Sequence, residues 1–154
     1  MNKTSQDKFD KAIPKKEGEK IARDIVKQRG LGRLIRSFKY AFSGLKYAYK
    51  YEQSMLIHVI ATILVITANI LLNIQPVEWL ATIIAIGMVL SAELINTAIE
   101  AIVDMITLEF HPLAKIAKDC GSAAVLVLAL MAVIIGCFVY IPYIPTILKG
   151  LGIL

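Results

Sequence analysis

The stretch Glu93-Leu94-Ile95-Asn96-Thr97-Ala98-Ile99-Glu100-Ala101-Ile102-Val103-Asp104 carries three carboxylates in a run otherwise made almost wholly of Ala, Ile, Leu and Val. Glu93, Asn96, Thr97, Glu100 and Asp104 are spaced i, i+3, i+4, i+7 and i+11. On a helix, this spacing puts Glu93, Glu100 and Asp104 within about ±20° of one line, with Asn96 and Thr97 flanking it. Three aligned acids repel one another unless a proton or a cation compensates, and a divalent metal would do so. A carboxylate held among apolar side chains can also take a proton from a substrate hydroxyl.

Other polar groups stand at the ends of neighbouring apolar runs. Glu52 precedes the first, and Lys118-Asp119-Cys120-Gly121-Ser122 precedes the third. Acid oxygens for magnesium, a lysine for phosphate charge and a carboxylate for proton removal are the parts that phosphoryl transfer uses. Neither G-x-x-x-x-G-K-[ST] nor G-x-G-x-x-G occurs in the sequence, so the two common nucleotide cradles are absent.

The elements that must position these groups follow from composition. The chain has 154 residues, 57% of them hydrophobic and 19% charged, with a mean hydropathy of +0.66. A single water-soluble domain of this size lacks the interior to hide so much apolar surface, which points to a membrane protein and excludes a disordered chain. Met55–Ile74 has no formal charge. A second apolar run begins at Trp79 and a third at Ala123. Each suits a crossing of a ~30 Å hydrocarbon core at 1.5 Å per residue. Three transmembrane helices are expected, over about 53–74, 77–104 and 119–142, in an all-α fold. Pro76 suits the start of the second helix, because its missing N–H costs nothing there.

Of the 17 Lys and Arg residues, 14 fall in residues 1–51, while the connector 73–78 has none. By the positive-inside rule the N-terminus is cytoplasmic, the 73–78 hairpin is outside, the 105–119 loop returns inside, and the C-terminus ends outside. Glu93 then lies about 21 Å from the outer boundary, with Glu100 about 10 Å further toward the cytoplasm. An ionisable residue at helix centre costs ~2.5–3.5 kcal/mol on insertion scales, so a function is the default expectation. Residues 1–29 lack the apolar core of a signal peptide and read as a charged, mobile cytoplasmic tail, with residues 30–154 as the membrane domain. Within 31–50, Leu31, Leu34, Ile35, Phe38, Phe42, Leu45 and Tyr49 fall within roughly 100° of a helical wheel, opposite Arg33, Arg36, Lys39, Lys46 and Lys50. Such a helix lies in the membrane interface against the anionic inner leaflet. Cys120 and Cys137 have no C-x-x-C spacing and read as small apolar fillers.

The acid stripe, followed by Lys118-Asp-Cys-Gly-Ser-Ala-Ala-Val125, resembles the prokaryotic integral-membrane diacylglycerol kinase and undecaprenol kinase family over about residues 31–142. The resemblance implies three transmembrane helices plus an amphipathic surface helix, assembled as a homotrimer with sites shared between subunits. It implies transfer of the γ-phosphate of magnesium-ATP to a lipid alcohol at the cell membrane, and no nucleic acid. By position, Glu93 corresponds to the general base and Asn96 to a residue orienting substrate or phosphate. Glu52 and Glu100 correspond to magnesium ligands, and Asp104, Lys118, Asp119 and Arg33 to nucleotide contacts. Ser122 corresponds to a further polar position at the substrate site. The segment Glu52-Gln-Ser-Met-Leu-Ile57-His58 is similar to the Gram-positive form of the family, which mainly phosphorylates undecaprenol. Ser54 stands where the family usually has Asn, and Trp79 is the only tryptophan, whereas the diacylglycerol kinases carry a C-terminal one. Undecaprenol kinase is therefore the expected activity, with diacylglycerol kinase as the alternative.

Each residue also has a plainer reading. Glu93 and Glu100 could be polar contacts between helices, Asp104 a helix end facing water, Lys118 a snorkelling cation and Ser122 a packing residue. Glu52 could neutralise Lys50; His58 could be a hydrogen-bonded helix residue, and His111 a turn residue. A small ion- or proton-conducting subunit would also carry intramembrane acids, but near mid-membrane with access from both sides. A non-catalytic assembly subunit would not need acids on three separate segments.

Overall fold

The structure, a computed structural model, describes residues 31–150. The expected tail, residues 1–29, lies outside the described residues. Among the described residues, five α-helices follow one another: α1 Leu31–Tyr51, α2 Gln53–Leu71, α3 Pro76–Ile106, α4 Pro112–Tyr140 and, after a 3-10 turn at Ile141–Tyr143, α5 Ile144–Gly150. No strand occurs among the described residues. Three helical stretches, Gln53–Leu71, Pro76–Ile106 and Pro112–Gly150, are long and apolar enough to cross a membrane. The fold is the expected all-α one. α3 packs chiefly on α4 and to a lesser extent on α2, while α1 meets α2 and α3.

The helix ends follow from local chemistry. α2 stops at Leu71 rather than 74 because Asn73 adopts the left-handed conformation (φ 48°). The Asn73 N–H then donates to the Ile70 carbonyl at 3.2 Å and the Ile74 N–H to the Asn69 carbonyl at 3.3 Å. That pair of bonds is a Schellman closure, and Asn is one of the few residues that enters this conformation cheaply. α3 begins at Pro76, where Glu78 accepts the Gln75 N–H at 2.7 Å in a capping box. α4 begins at Pro112, seven residues before the expected 119. The expectation marked the start of the apolar run, but Pro112 presets the first turn and His111 Nδ1 accepts the Leu113 N–H at 3.3 Å. Cys120 and Cys137 are free, exposed thiols.

At the hairpin end a polar cluster ties the three long helices together. Asn69 of α2 is fully buried; its amide donates to Thr82 Oγ1 of α3 at 2.8 Å, and its Oδ1 accepts the Tyr140 hydroxyl of α4 at 2.5 Å. The Tyr143 hydroxyl donates to Glu78 Oε2 at 2.6 Å, fastening the chain after α4 to the start of α3. Polar bonds between helices in apolar surroundings are worth about 0.6 kcal/mol on average and up to ~1.7. Tyr140→Phe leaves Asn69 Oδ1 buried without its donor, so thermal unfolding in detergent should show a loss toward the upper end of that range.

Candidate functional site

The opposite end of the bundle gathers the acids. It is formed by the α1–α2 corner, the second half of α3 and the first turns of α4. α3 presents its stripe as a gradient: Glu93, Asn96 and Thr97 are buried, whereas Glu100 and Asp104 are half-buried. A straight apolar helix with period 3.6 must align these side chains, and its packing on α2 and α4 covers the deeper ones.

Glu93 is only 2% exposed. Its Oε1 accepts a hydroxyl from Ser54 on the first turn of α2. His58, one turn further along α2, brings Nε2 to 4.0 Å from Oε2. That separation is too long for a hydrogen bond, so Oε2 keeps its lone pairs for another hydroxyl. Thr97 turns back to the Glu93 carbonyl at 3.0 Å and is occupied within its own helix.

Asn96 donates from Nδ2 to Glu100 Oε1 at 3.0 Å. Its Oδ1 is buried and, among the described residues, is the buried side-chain polar atom without a hydrogen-bond partner. This oxygen lies against Gly121 of α4, where a Cβ would collide with it. Gly121 is thus a notch that lets the α4 backbone close on the amide. The next residue, Ser122, points outward and is exposed.

Lys118 and Asp104 form an ion pair at 2.6 Å between α4 and α3. Lys115 and Asp119 pair one turn apart on the exposed side of α4. Glu52 precedes α2 in an extended conformation (φ −106°, ψ 117°) and is half-buried. Tyr47 of α1 lies near it: burial first, then the Glu52 charge, Tyr51 and the Asp104 charge, hold its phenol above the usual tyrosine range.

The structure therefore brings together Glu93, Asn96, Glu100, Asp104 and Lys118, with Glu52 at the adjoining corner. Arg33 and Ser122 are not brought in. Arg33 is exposed near the far end of α1, about 27 Å along the axis from Tyr51. Ser54 and Gly121 were missed by sequence reasoning. Ser54 had a signal, since it departs from the family pattern two positions after Glu52, while Gly121 resembles any helix-packing glycine.

Among the described residues, no three His, Cys, Asp or Glu side chains cluster closely enough to hold a metal by themselves. Magnesium, however, is usually held by one or two carboxylates together with waters and substrate phosphates. Glu100, beside the unpartnered Asn96 oxygen, and Glu52 supply oxygen donors of that kind. These residues are of the kind that would hold a magnesium ion arriving with a nucleotide.

Residues 39–140 match the family of prokaryotic diacylglycerol kinases. The undecaprenol kinase of Bacillus subtilis (strain 168) is 38% identical over 112 residues, which are 73% of this chain and 91% of that protein. The diacylglycerol kinase of Synechocystis sp. is 39% identical over 110 residues, 71% of this chain and 63% of that protein, so the match spans under two thirds of its length. The diacylglycerol kinase of Escherichia coli (strain K12) is 35% identical over 108 residues, 70% of this chain and 88% of that protein.

Proposed function

From the premise that the chain belongs to the prokaryotic diacylglycerol kinase family, we propose that it transfers the γ-phosphate of ATP to undecaprenol at the cytoplasmic face of the cell membrane. The observation that carries this reading is the buried Glu93 carboxylate, fixed through Oε1 by Ser54, with Glu100 and the Asn96 amide next along the same stripe.

In this mechanism Glu93 Oε2 takes the proton as the lipid oxygen attacks the γ-phosphorus, and the bond from that phosphorus to the β–γ bridging oxygen breaks to release ADP. Asn96, held by Glu100, orients the reacting groups. Lys118, positioned by Asp104, offsets phosphate charge, and Asp104 and Asp119 order the nucleotide side. Glu52 and Glu100 would hold magnesium, which supplies charge neutralisation on the phosphate oxygens when bound. The depth gradient supports the division of labour: the deepest acid meets the lipid alcohol and the shallower ones meet the water-soluble nucleotide.

Membrane placement completes the proposal. The cation-rich N-terminal side faces the cytoplasm, with α1 lying on the inner leaflet through its exposed Leu31, Leu34, Ile35, Phe38 and Phe42. The chain works as a homotrimer with shared sites, and Arg33 and Ser122, both exposed within one chain, act at a neighbour's site. Undecaprenol is preferred over diacylglycerol on the strength of the Ile57-His58 segment, since His58 is the side chain that stands beside Glu93.

The test is a comparison of ATP-dependent phosphorylation of undecaprenol and diacylglycerol by the purified protein. A higher kcat/KM on undecaprenol is expected. A higher value on diacylglycerol would reverse the substrate assignment, and turnover of neither would end the kinase reading. Glu100→Gln keeps an acceptor for Asn96 but removes a charge. The magnesium concentration for half-maximal rate should rise about tenfold, read by titrating magnesium at fixed ATP.

A further inference from the structure

The phosphoryl transfer proposed above leaves a proton behind. An alcohol and ATP become a phosphate monoester and ADP, and the hydroxyl proton stays on Glu93 Oε2. That oxygen must be bare again before the next alcohol can react. Glu93 is only 2% exposed, so water has little access to carry the proton off. A neighbouring side chain has to take it.

Most of the neighbours are unsuited. Ser54 donates its hydroxyl to Oε1, and a hydroxyl given a second proton is a far stronger acid than a carboxyl group. Thr97 is spent on the Glu93 carbonyl. Asn96 donates to Glu100, and an amide is not a base near neutral pH. His58 differs from all three, because imidazole both takes up and gives up a proton near neutral pH. Its Nε2 lies 4.0 Å from Glu93 Oε2, and its side chain is 20% exposed. With an alcohol in the site, Oε2 turns to the hydroxyl. Once protonated, Oε2–H needs a shift of about 1 Å to reach Nε2, and such bonds commonly tighten only during turnover. Among the described residues, Glu93 is the acid that His58 meets. The other residues bordering the same cavity of about 310 Å³ include Val89, Leu90, Ala132 and Val133, none of which can intercept a proton.

We infer that His58 is the proton outlet of Glu93. After each transfer the Oε2–H bond breaks and Nε2 takes the proton, which restores the carboxylate. The imidazolium so formed then gives up one proton to water at its exposed edge and returns to the neutral ring. His58 acts through Glu93 and touches neither the phosphorus nor the departing ADP. This rests on the kinase reading and deepens it by supplying the step that resets the base.

Two variants test it, each in vesicles with a prenol and ATP. His58→Gln keeps the approximate size of the side chain but cannot hold a proton. The first turnover after rapid mixing should stay within about twofold of the wild-type rate. Later turnovers should slow about tenfold or more, because every site is left with a protonated Glu93. Equal slowing of the first and later turnovers would place His58 in the chemical step or in the packing and overturn the inference. An unchanged steady-state rate would overturn it as well. His58→Ala leaves a gap beside the cavity, and imidazole added to the buffer should restore most of its steady-state rate. A rate indifferent to imidazole would mean that product release is what has slowed, with the same consequence. Should one variant fail to assemble, the other decides alone; failure of both would make His58 structural and end the inference. Any of these failures leaves the kinase reading standing, whereas the absence of lipid phosphorylation by the wild type would end that reading itself.

Discussion

Glu93→Gln should lower lipid phosphorylation about 10²–10⁴-fold, the usual contribution of a positioned general base. Glutamine has the same shape and its oxygen can still accept the Ser54 hydroxyl, but it cannot carry away the proton of an attacking alcohol. The site is 2% exposed, so water has little room to substitute. The variant should still insert and assemble, because exchanging a buried carboxylate for a neutral amide removes a charge that is costly to hold in an apolar bundle. The measurement is lipid-dependent ATP consumption in bilayers, beside thermal unfolding of the same preparation. Wild-type turnover in this variant would remove Glu93 from the base role. Collapse of the fold would show instead that the carboxylate is structural.

Gly121→Ala should be the most damaging glycine-to-alanine change among the described residues. The added Cβ meets Asn96 Oδ1 head-on, and both responses are costly. If α4 retreats, it loosens the most extensive helix pairing of the bundle, that with α3. If Asn96 rotates, Glu100 loses its amide donor. Overpacking of this kind typically costs about 1–3 kcal/mol, and kcat should fall about tenfold or more, with a raised magnesium requirement if Glu100 is released. Asn96→Ala removes the obstruction, so the double variant should be no worse than Asn96→Ala alone, a coupling of about 0.5–3 kcal/mol. Additive losses would mean that the glycine serves packing elsewhere and does not position the amide.

The acid stripe was legible in the sequence because its geometry is local. Seven residues from Glu93 to Glu100 make nearly two turns, and any α-helix through them aligns those side chains. Pro76 as a helix start was legible for the same reason. The start of α4 was misplaced because hydropathy marks where apolar residues begin, whereas the helix begins where His111 and Pro112 can cap it. Ser54 was visible only as a departure from a pattern, and its role emerged when α2 placed its hydroxyl on Glu93. Lys118 was expected at a nucleotide; within the folded chain its ammonium is paired with Asp104.

By itself the sequence determined that three long apolar helices would form, that one of them would carry a line of acids, and that the cations would gather before the first. These properties depend on near neighbours, on the period of the helix and on the transfer of side chains between water and hydrocarbon. Only the tertiary structure decided which residues meet: Ser54 and His58 with Glu93, Gly121 with Asn96, Lys118 with Asp104, and Asn69 with Thr82 and Tyr140. Those contacts join positions 13 to 71 residues apart. They are set by how closely and at what rotation the helices pack, a balance of many small dispersion and hydrogen-bond terms that no single segment encodes.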